Sequence, residues 1–311
     1  MSSVRPRRHG RIGWWGLPAS LLSAICAAQT AAPDQAADAA WRAQRLASLT
    51  SETGWLTPIA LYWLKPGASS FGRAASNAFA VDHPALAAKA AVFTLKNGQV
   101  WLDARRGSGL TVDGKPVRHL QMVADTHPPP TELMVGTLQL QLIERAGHLG
   151  IRVRDSVSPE RARFRGLEYF PFRSDWIIDA YFEPYVPAHE VTIINILGME
   201  VKMSSPGAAV FERDGHTWRL DALLEEPGDN KLFVMFSDQT SGRETYGAGR
   251  FLYSPLPADG RIHLDFNRVY NPPCAFTEFA TCPLPPPQNQ LSLRVDAGEL
   301  KYQRVHTTNG H

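Results

Sequence analysis

Val92-Phe93-Thr94-Leu95-Lys96-Asn97-Gly98-Gln99-Val100-Trp101-Leu102-Asp103 decides the fold class. Two short runs of mixed apolar and polar residues flank Asn97-Gly98. That pair takes the positive φ angles of a type I′ turn, so the runs pair as an antiparallel hairpin. The pattern recurs: Asp113-Gly114 separates Leu110–Val112 from Pro116–Leu120, and Asp214-Gly215 separates Ala209–Glu212 from Thr217–Leu220. Short runs at this spacing predict a mainly β chain of antiparallel sandwich or barrel type. The one helical period lies near the start. Residues 33–54 are Ala-rich, with Trp41, Leu46 and Leu49 spaced to pack an N-terminal helix on the body.

Outside these elements the composition is that of a packed globule: 311 residues, 44% hydrophobic and 20% charged. The length holds one large domain or two ordinary ones. The formal charge of +2 is mild, and part of it lies in Arg5, Arg7, Arg8 and Arg11. No dense basic stripe remains, so nucleic acid is excluded as a partner class. Those arginines precede an apolar stretch, Ile12 to Ile25, and then small residues. This is the order of an export signal over residues 1–28, cleaved after Ala28. Gly13, Gly16 and Pro18 interrupt the stretch, which is too short to cross a bilayer. The expected mature chain is periplasmic or secreted, with no membrane span after leader removal.

Export sets how the cysteines read. Cys26 leaves with the leader, and Cys274 and Cys282 remain, eight positions apart. In an oxidising compartment an isolated even pair is most simply a disulfide. No CxxC or nearby histidine completes a zinc set, and no adjacent histidine offers a base to a cysteine nucleophile. Phosphate-binding glycine loops, Gly-x-Ser-x-Gly elbows and HExxH helices are also missing, so no cofactor is expected.

Residues 55–155 read as a first β unit. It contains Leu64-Lys65-Pro66-Gly67, then Phe71-Gly72-Arg73, several hairpins, and finally Leu138–Ile143 and Ile151–Arg154. This order resembles the forkhead-associated β-sandwich, in which a glycine-arginine pair follows the first strand. The phosphothreonine-reading serine and histidine of that family have no counterpart in Pro84–Ala91, and Asp113 stands in place of its asparagine. The resemblance therefore implies a scaffold, not a phosphopeptide reader. Residues 156–305 read as a second, C-terminal β unit. It opens with the aromatic-rich Phe164–Pro187, read as the apolar seam between packed sheets rather than a sugar-binding platform.

The second unit carries unusual polar motifs. Phe236 to Leu252 contains Asp238, Thr240, Gly242, Glu244, Tyr246, Gly247, Gly249 and Arg250. Asp265-Phe266-Asn267-Arg268-Val269-Tyr270-Asn271-Pro272-Pro273-Cys274 follows, then Cys282-Pro283-Leu284-Pro285-Pro286, Asn289 and Ala297-Gly298-Glu299. With Gly150–Asp155, these segments are similar to the bacterial and archaeal family called domain of unknown function 1684. The resemblance implies no particular reaction.

Read as chemistry, the glycines near Glu244, Tyr246 and Arg250 permit a loop that approaches a ligand. In Arg261–Asn267, Ile262, Leu264 and Phe266 share one strand face, and His263, Asp265 and Asn267 share the other. The expected catalytic set is Arg250 as binder of an anionic or carbonyl group, with Asp265 or Glu244 as acid or base. Tyr246, His263, Asn267, Tyr270 and Asn271 are the expected ligand contacts. A metal version would use His263, Asp265 and Glu299, but two alternating strand positions are a weak signal for it. The functional expectation is a small-molecule hydrolase or ligand-binding protein acting on an envelope-derived compound. The alternative is a non-catalytic envelope interaction module in which Arg250 pairs with Asp265 or Glu244 only to fix register.

Overall fold

The computed structural model describes Met1 and residues 33–303, so the expected leader over residues 1–28 lies outside the described residues. The three turns behave as their residues dictate. Asn97 and Gly98 have φ of 53° and 76°, Asp113 and Gly114 of 50° and 71°, and Asp214 and Gly215 of 54° and 74°. Both central residues of each turn are left-handed, and each turn closes an antiparallel hairpin.

The chain opens with helix α1 (Pro33–Thr50). Strands β1 (Pro58–Trp63), β2 (Gly67–Gly72), β3 (Phe79–Ala80), β4 (Ala91–Lys96) and β5 (Gln99–Ala104) follow. Next come β6 (Thr111–Val112), β7 (Lys115–Pro116), β8 (His119–Met122), β9 (Glu132–Val135), β10 (Leu138–Arg145) and β11 (His148–Asp155). They form two sheets, β1-β11-β10-β9-β6-β7 and β3-β2-β4-β5-β8, antiparallel except where β2 meets β3. Phe71, Phe93 and Leu102 of one sheet and Leu133, Leu140 and Val153 of the other share one core, which makes the unit a sandwich. On β11, Ile151 and Val153 point into that core, while Arg152 and Arg154 alternate to the other face and are nonetheless buried. Another part of the chain must therefore cover them.

After the short helix α2 (Pro159–Arg163) come β12 (Ile177–Ile194), β13 (Glu200–Arg213), β14 (His216–Leu224), β15 (Lys231–Phe236), β16 (Arg250–Pro255) and β17 (Arg261–Asp265). The sheet runs β16-β15-β14-β13-β12-β17. Its two edges meet where the Ser254 hydroxyl donates to the His263 carbonyl at 2.8 Å, giving a nearly closed barrel. Ile262, Leu264 and Phe266 fill its interior with Trp176, Phe182 and Phe236, as the alternation in β17 predicts. The aromatic stretch is only partly a seam: Trp176 and Phe182 are core, whereas Tyr181 on the alternate face is 52% exposed. One side of the barrel is thinly paired, because β14 and β15 share a single register position, Leu223 with Phe233.

Beyond β17 the described chain forms no strand, only short 3-10 turns. Its backbone N–H and C=O groups still need partners, and side chains supply them. The Asn289 amide donates to the carbonyls of Asp221 and Met235, both at 2.9 Å, and accepts from the Asp221 N–H at 2.8 Å. It thus stitches β14 to β15 where the strands themselves scarcely pair. Asn267 does the same for Arg173, accepting from its N–H and donating to its carbonyl, both at 2.9 Å. Asn271 donates to the Leu300 carbonyl at 2.7 Å. The tail also covers β11, where Arg152 Nε donates to the Phe279 carbonyl at 3.2 Å.

Helix α1 differs from expectation in two ways. It stops at Thr50 rather than 54, because the chain turns back at Gly54, where a Cβ would lie 2.2 Å from the Leu49 carbonyl oxygen. Its inward stripe is also not the expected one. Leu46 is 41% exposed, and the positions facing the body are Asp38, Trp41, Arg42, Arg45 and Leu49. A helix that packs largely through charged and aromatic groups has no clean apolar period. Leu49 joins Leu56, Ala275 and Phe276 in a small cluster that fixes the helix to the tail.

Candidate functional site

The polar residues singled out in the sequence do not share one concavity. Arg250 is fully buried, with Nη1 donating to the Ala297 carbonyl at 2.6 Å and Nη2 to the Val295 carbonyl at 2.9 Å. Its carboxylate partner is Asp238, at 3.3 Å, and neither Glu244 nor Asp265 pairs with it. Asp238 is itself engaged by Thr240, Ser241 and the Val295 N–H. Desolvation holds the Arg250 guanidinium below its ordinary pKa despite that carboxylate. The group is a clamp on the tail.

Glu244 sits at the surface, paired with Arg294 at 2.8 Å, and this hydrogen bond lowers its pKa. His263 is exposed against Asp179 at 3.0 Å. Asp265 is buried, but one oxygen caps Asn267 and the other meets Arg268 at 2.9 Å. Tyr246 packs between two of the smaller apolar clusters. For the metal version, His263, Asp265 and Glu299 have separate partners. Among the described residues no group of three or more His, Cys, Asp and Glu could hold a metal ion. Cys274 and Cys282 do face each other: the N–H of Cys274 donates to the Cys282 sulfur at 3.0 Å, and the reverse contact is 3.3 Å.

Two of the expected residues, Tyr270 and Cys282, line a cleft of about 680 Å³ between α1, the sandwich and the barrel. Trp41, Arg45 and Ser48 come from α1, Trp55 from the following turn, and Arg145 from β10. The barrel contributes Phe233, Phe251 and Tyr253, with Glu225 and Lys231 at the mouth of the β14–β15 loop. Clefts of this size, between units and walled by aromatic rings with a few polar groups, are where small organic ligands bind. A second hollow of about 720 Å³ shares Arg145, Glu225 and Phe233 with the first, so the two form one groove along the interface.

The polar groups of the cleft are positioned by second partners. Tyr253 donates to Glu225 at 2.6 Å, and its ring stacks against that of Tyr270 with centroids 6.3 Å apart. Burial pushes both phenols above their ordinary pKa, so at neutral pH they are hydrogen-bond donors and not phenolates. Arg45 lies over the Tyr270 ring, 4.7 Å from its centroid, and donates to Glu299 at 2.8 Å and to the Asn271 carbonyl at 2.9 Å. Lys231 sits 3.6 Å above the Tyr253 ring. Asn271 therefore touches the cleft only through Arg45 and Glu299, whose carboxylate also accepts the Asn271 N–H at 2.8 Å.

Trp41, Arg45, Trp55, Glu225, Lys231 and Tyr253 were not among the expected site residues. The one signal that could have found part of the set is helical: Trp41, Arg45 and Ser48 lie on one face of α1.

A model of the family described as "Protein of unknown function (DUF1684)" matches residues 162–300. No curated protein matches the chain. Among solved structures, an uncharacterised protein of Haloarcula marismortui determined by solution NMR is similar at 32% identity. The match covers 46% of this chain and 81% of that one, with a TM-score of 0.39. A structure from work on phosphothreonine-dependent FHA domain interactions is similar at 18% identity over 32% of this chain and 96% of that one, with a TM-score of 0.22.

Proposed function

Since the chain belongs to the DUF1684 family of proteins of unknown function, which supplies no reaction, we propose from the geometry that it is an exported protein binding a small organic ligand in the helix–sandwich–barrel cleft. The observation that carries this reading is the convergence of Trp41, Trp55, Phe251 and Tyr270 on one cavity with the Tyr253–Glu225 pair. The ligand is a compound with a flat apolar body, stacked between rings, and a polar group that meets the tyrosine hydroxyls. Binding is favoured over hydrolysis because the cleft presents neutral phenols, and Glu244, Arg250 and Asp265 lie apart with other partners. Export rests on the basic start and apolar stretch before Gln29.

The test is titration with the aromatic anion 8-anilinonaphthalene-1-sulfonate, alongside a panel of neutral aromatics and aromatic acids. One saturable site that quenches tryptophan emission is expected, lost in Trp41→Ala and Tyr253→Ala but kept in Glu244→Gln. Binding that ignores both cleft variants, or no saturable binding across the panel, overturns the reading. N-terminal sequencing of the mature chain, expected to start near Gln29, checks export separately.

A further inference from the structure

The outer face of β11 carries two buried charges that the fold leaves without ion pairs. Arg152 and Arg154 are 2% and 8% exposed. The cross-strand neighbours are Gln141 and Leu61 for Arg152, and Gln139 and Pro58 for Arg154, none of them acidic. Among the described residues no carboxylate pairs with either arginine. Asp125, the carboxylate whose charge acts most on Arg152, is held through both oxygens by Arg145 at 3.0 and 2.8 Å. Asp155 lies by His83 at 3.6 Å. Arg154 donates to the Gly54 carbonyl and Arg152 Nε to the Phe279 carbonyl, both at 3.2 Å. Arg152 Nη2 is buried with no hydrogen-bond partner. A desolvated cation with an idle donor is costly to keep, and an anion brought alongside relieves that cost.

Both guanidiniums lie against one ring. That of Arg152 is 5.1 Å and that of Arg154 5.0 Å from the centre of Trp55, which walls the aromatic cleft. Arg145, whose charge also acts on Arg152, lines the same cleft. The adjoining hollow has the opposite character. Asp125, Glu144, Glu225 and Glu226 line it, and its Lys202 is paired with Glu190 at 2.5 Å. The groove is therefore polarised, positive at the Trp55 wall and negative along the second hollow.

We propose that the ligand of the cleft is an aromatic carboxylic acid, bound as its carboxylate toward the Trp55 wall, with Arg152 as its counter-charge. This rests on the small-ligand reading above and adds the sign of the ligand to it. The aromatic body stacks among Trp41, Phe251 and Tyr270, and the carboxylate lies away from Glu225, which Tyr253 already engages. A guanidinium suits the task because its planar donors match a carboxylate and it is less strongly hydrated than an ammonium, so it tolerates burial. No covalent bond is made or broken.

The test is calorimetric titration of the full chain at pH 7 with probes that share one ring system: 2-naphthoate, 2-naphthamide and 2-naphthylmethylammonium. Naphthoate is expected to bind about 10–100-fold more tightly than the amide, the worth of one hydrogen bond to a charged group. The ammonium should bind more weakly than the amide. Arg152→Met should remove most of the preference for naphthoate and leave the affinity for naphthamide unchanged, which also shows that its cleft is intact. Should the methionine variant lose the amide as well, Arg152→Gln takes its place, since it keeps a donor for the Phe279 carbonyl. Equal affinity for naphthoate and naphthamide overturns the acid, and tighter binding of the ammonium overturns it in favour of the second hollow's carboxylates. Either result leaves the small-ligand reading standing. A full naphthoate preference in an Arg152 variant that binds the amide normally overturns the counter-charge. Absence of any isotherm with all three probes sinks the acid together with the reading of the cleft on which it rests.

Discussion

Arg45, in the first helix, donates through Nε to the fully buried carboxylate of Glu299 at 2.8 Å, joining residues 254 positions apart. The same guanidinium forms part of the cleft wall over Tyr270. One contact therefore secures the helix, the tail and the shape of the cavity together.

Breaking it from the Glu299 side should strand Arg45. Glu299→Ala is expected to lose about 3–5 kcal/mol in urea unfolding, the usual cost of orphaning one member of a buried pair. The double variant Arg45→Met/Glu299→Leu should lose less than Glu299→Ala alone, since no charge is then left without a partner. A double variant as unstable as the single one would contradict this account.

Asn289 is expected to behave as a piece of the sheet. Asn289→Ala leaves the Asp221 N–H and the carbonyls of Asp221 and Met235 without their partner, at about 1–3 kcal/mol for each buried group so stranded. Asn289→Asp should not rescue it, because a carboxylate cannot donate to two carbonyls. Hydrogen exchange should quicken along β14 and β15 in both variants while the sandwich stays protected.

Arg152 should make stability depend on pH in an unusual direction. Burial, reinforced by repulsion from Arg154 and Arg145, lowers its pKa to about 9. Above about pH 9, up to the ordinary arginine range, the unfolded chain holds this proton more firmly than the folded one. The contribution to stability therefore rises with pH there, and below pH 9 the full burial cost is present. Arg152→Met should be at least as stable as wild type at pH 7, and its advantage should shrink as pH rises from 8 to 10.5. Chemical denaturation at a series of pH values reads the difference directly.

Surface members of the polar motifs should be silent. Glu244→Gln and His263→Ala remove exposed ion pairs with Arg294 and Asp179, worth no more than about 0.5 kcal/mol each. Melting curves within a degree or two of wild type are expected for both, in contrast to a large drop for Arg250→Met.

The hairpins were legible because Asn-Gly and Asp-Gly turns are local, and the barrel-facing side of β17 because alternation of Ile262, Leu264 and Phe266 is local too. The export signal and the domain bounds are expectations from the sequence alone, and the leader lies outside the described residues. Asn267, Asn271 and Arg250 were conspicuous, but their partners are backbone groups of Arg173, Leu300, Val295 and Ala297, which no spacing rule connects. The cleft was hidden for the same reason. Trp41, Arg145, Tyr253 and Cys282 meet only because an irregular tail crosses from the barrel to β11 and back to α1. Polar residues in such a tail read like a site when their work is to replace strand pairing.

That tail also orders events in time. The last described residues hold the partners of Arg250, at Val295 and Ala297, and of Arg45, at Glu299. A nascent chain that has not yet released them leaves Arg250 without its two carbonyl acceptors in the barrel wall and Arg45 without its carboxylate on the first helix. Its barrel cannot close, whatever the sandwich has already done. Contacts of such sequence separation form late, after the entropy of a long loop has been overcome. Under the export proposed above, this arrangement would keep the second half open to threading until Val295, Ala297 and Glu299 had emerged.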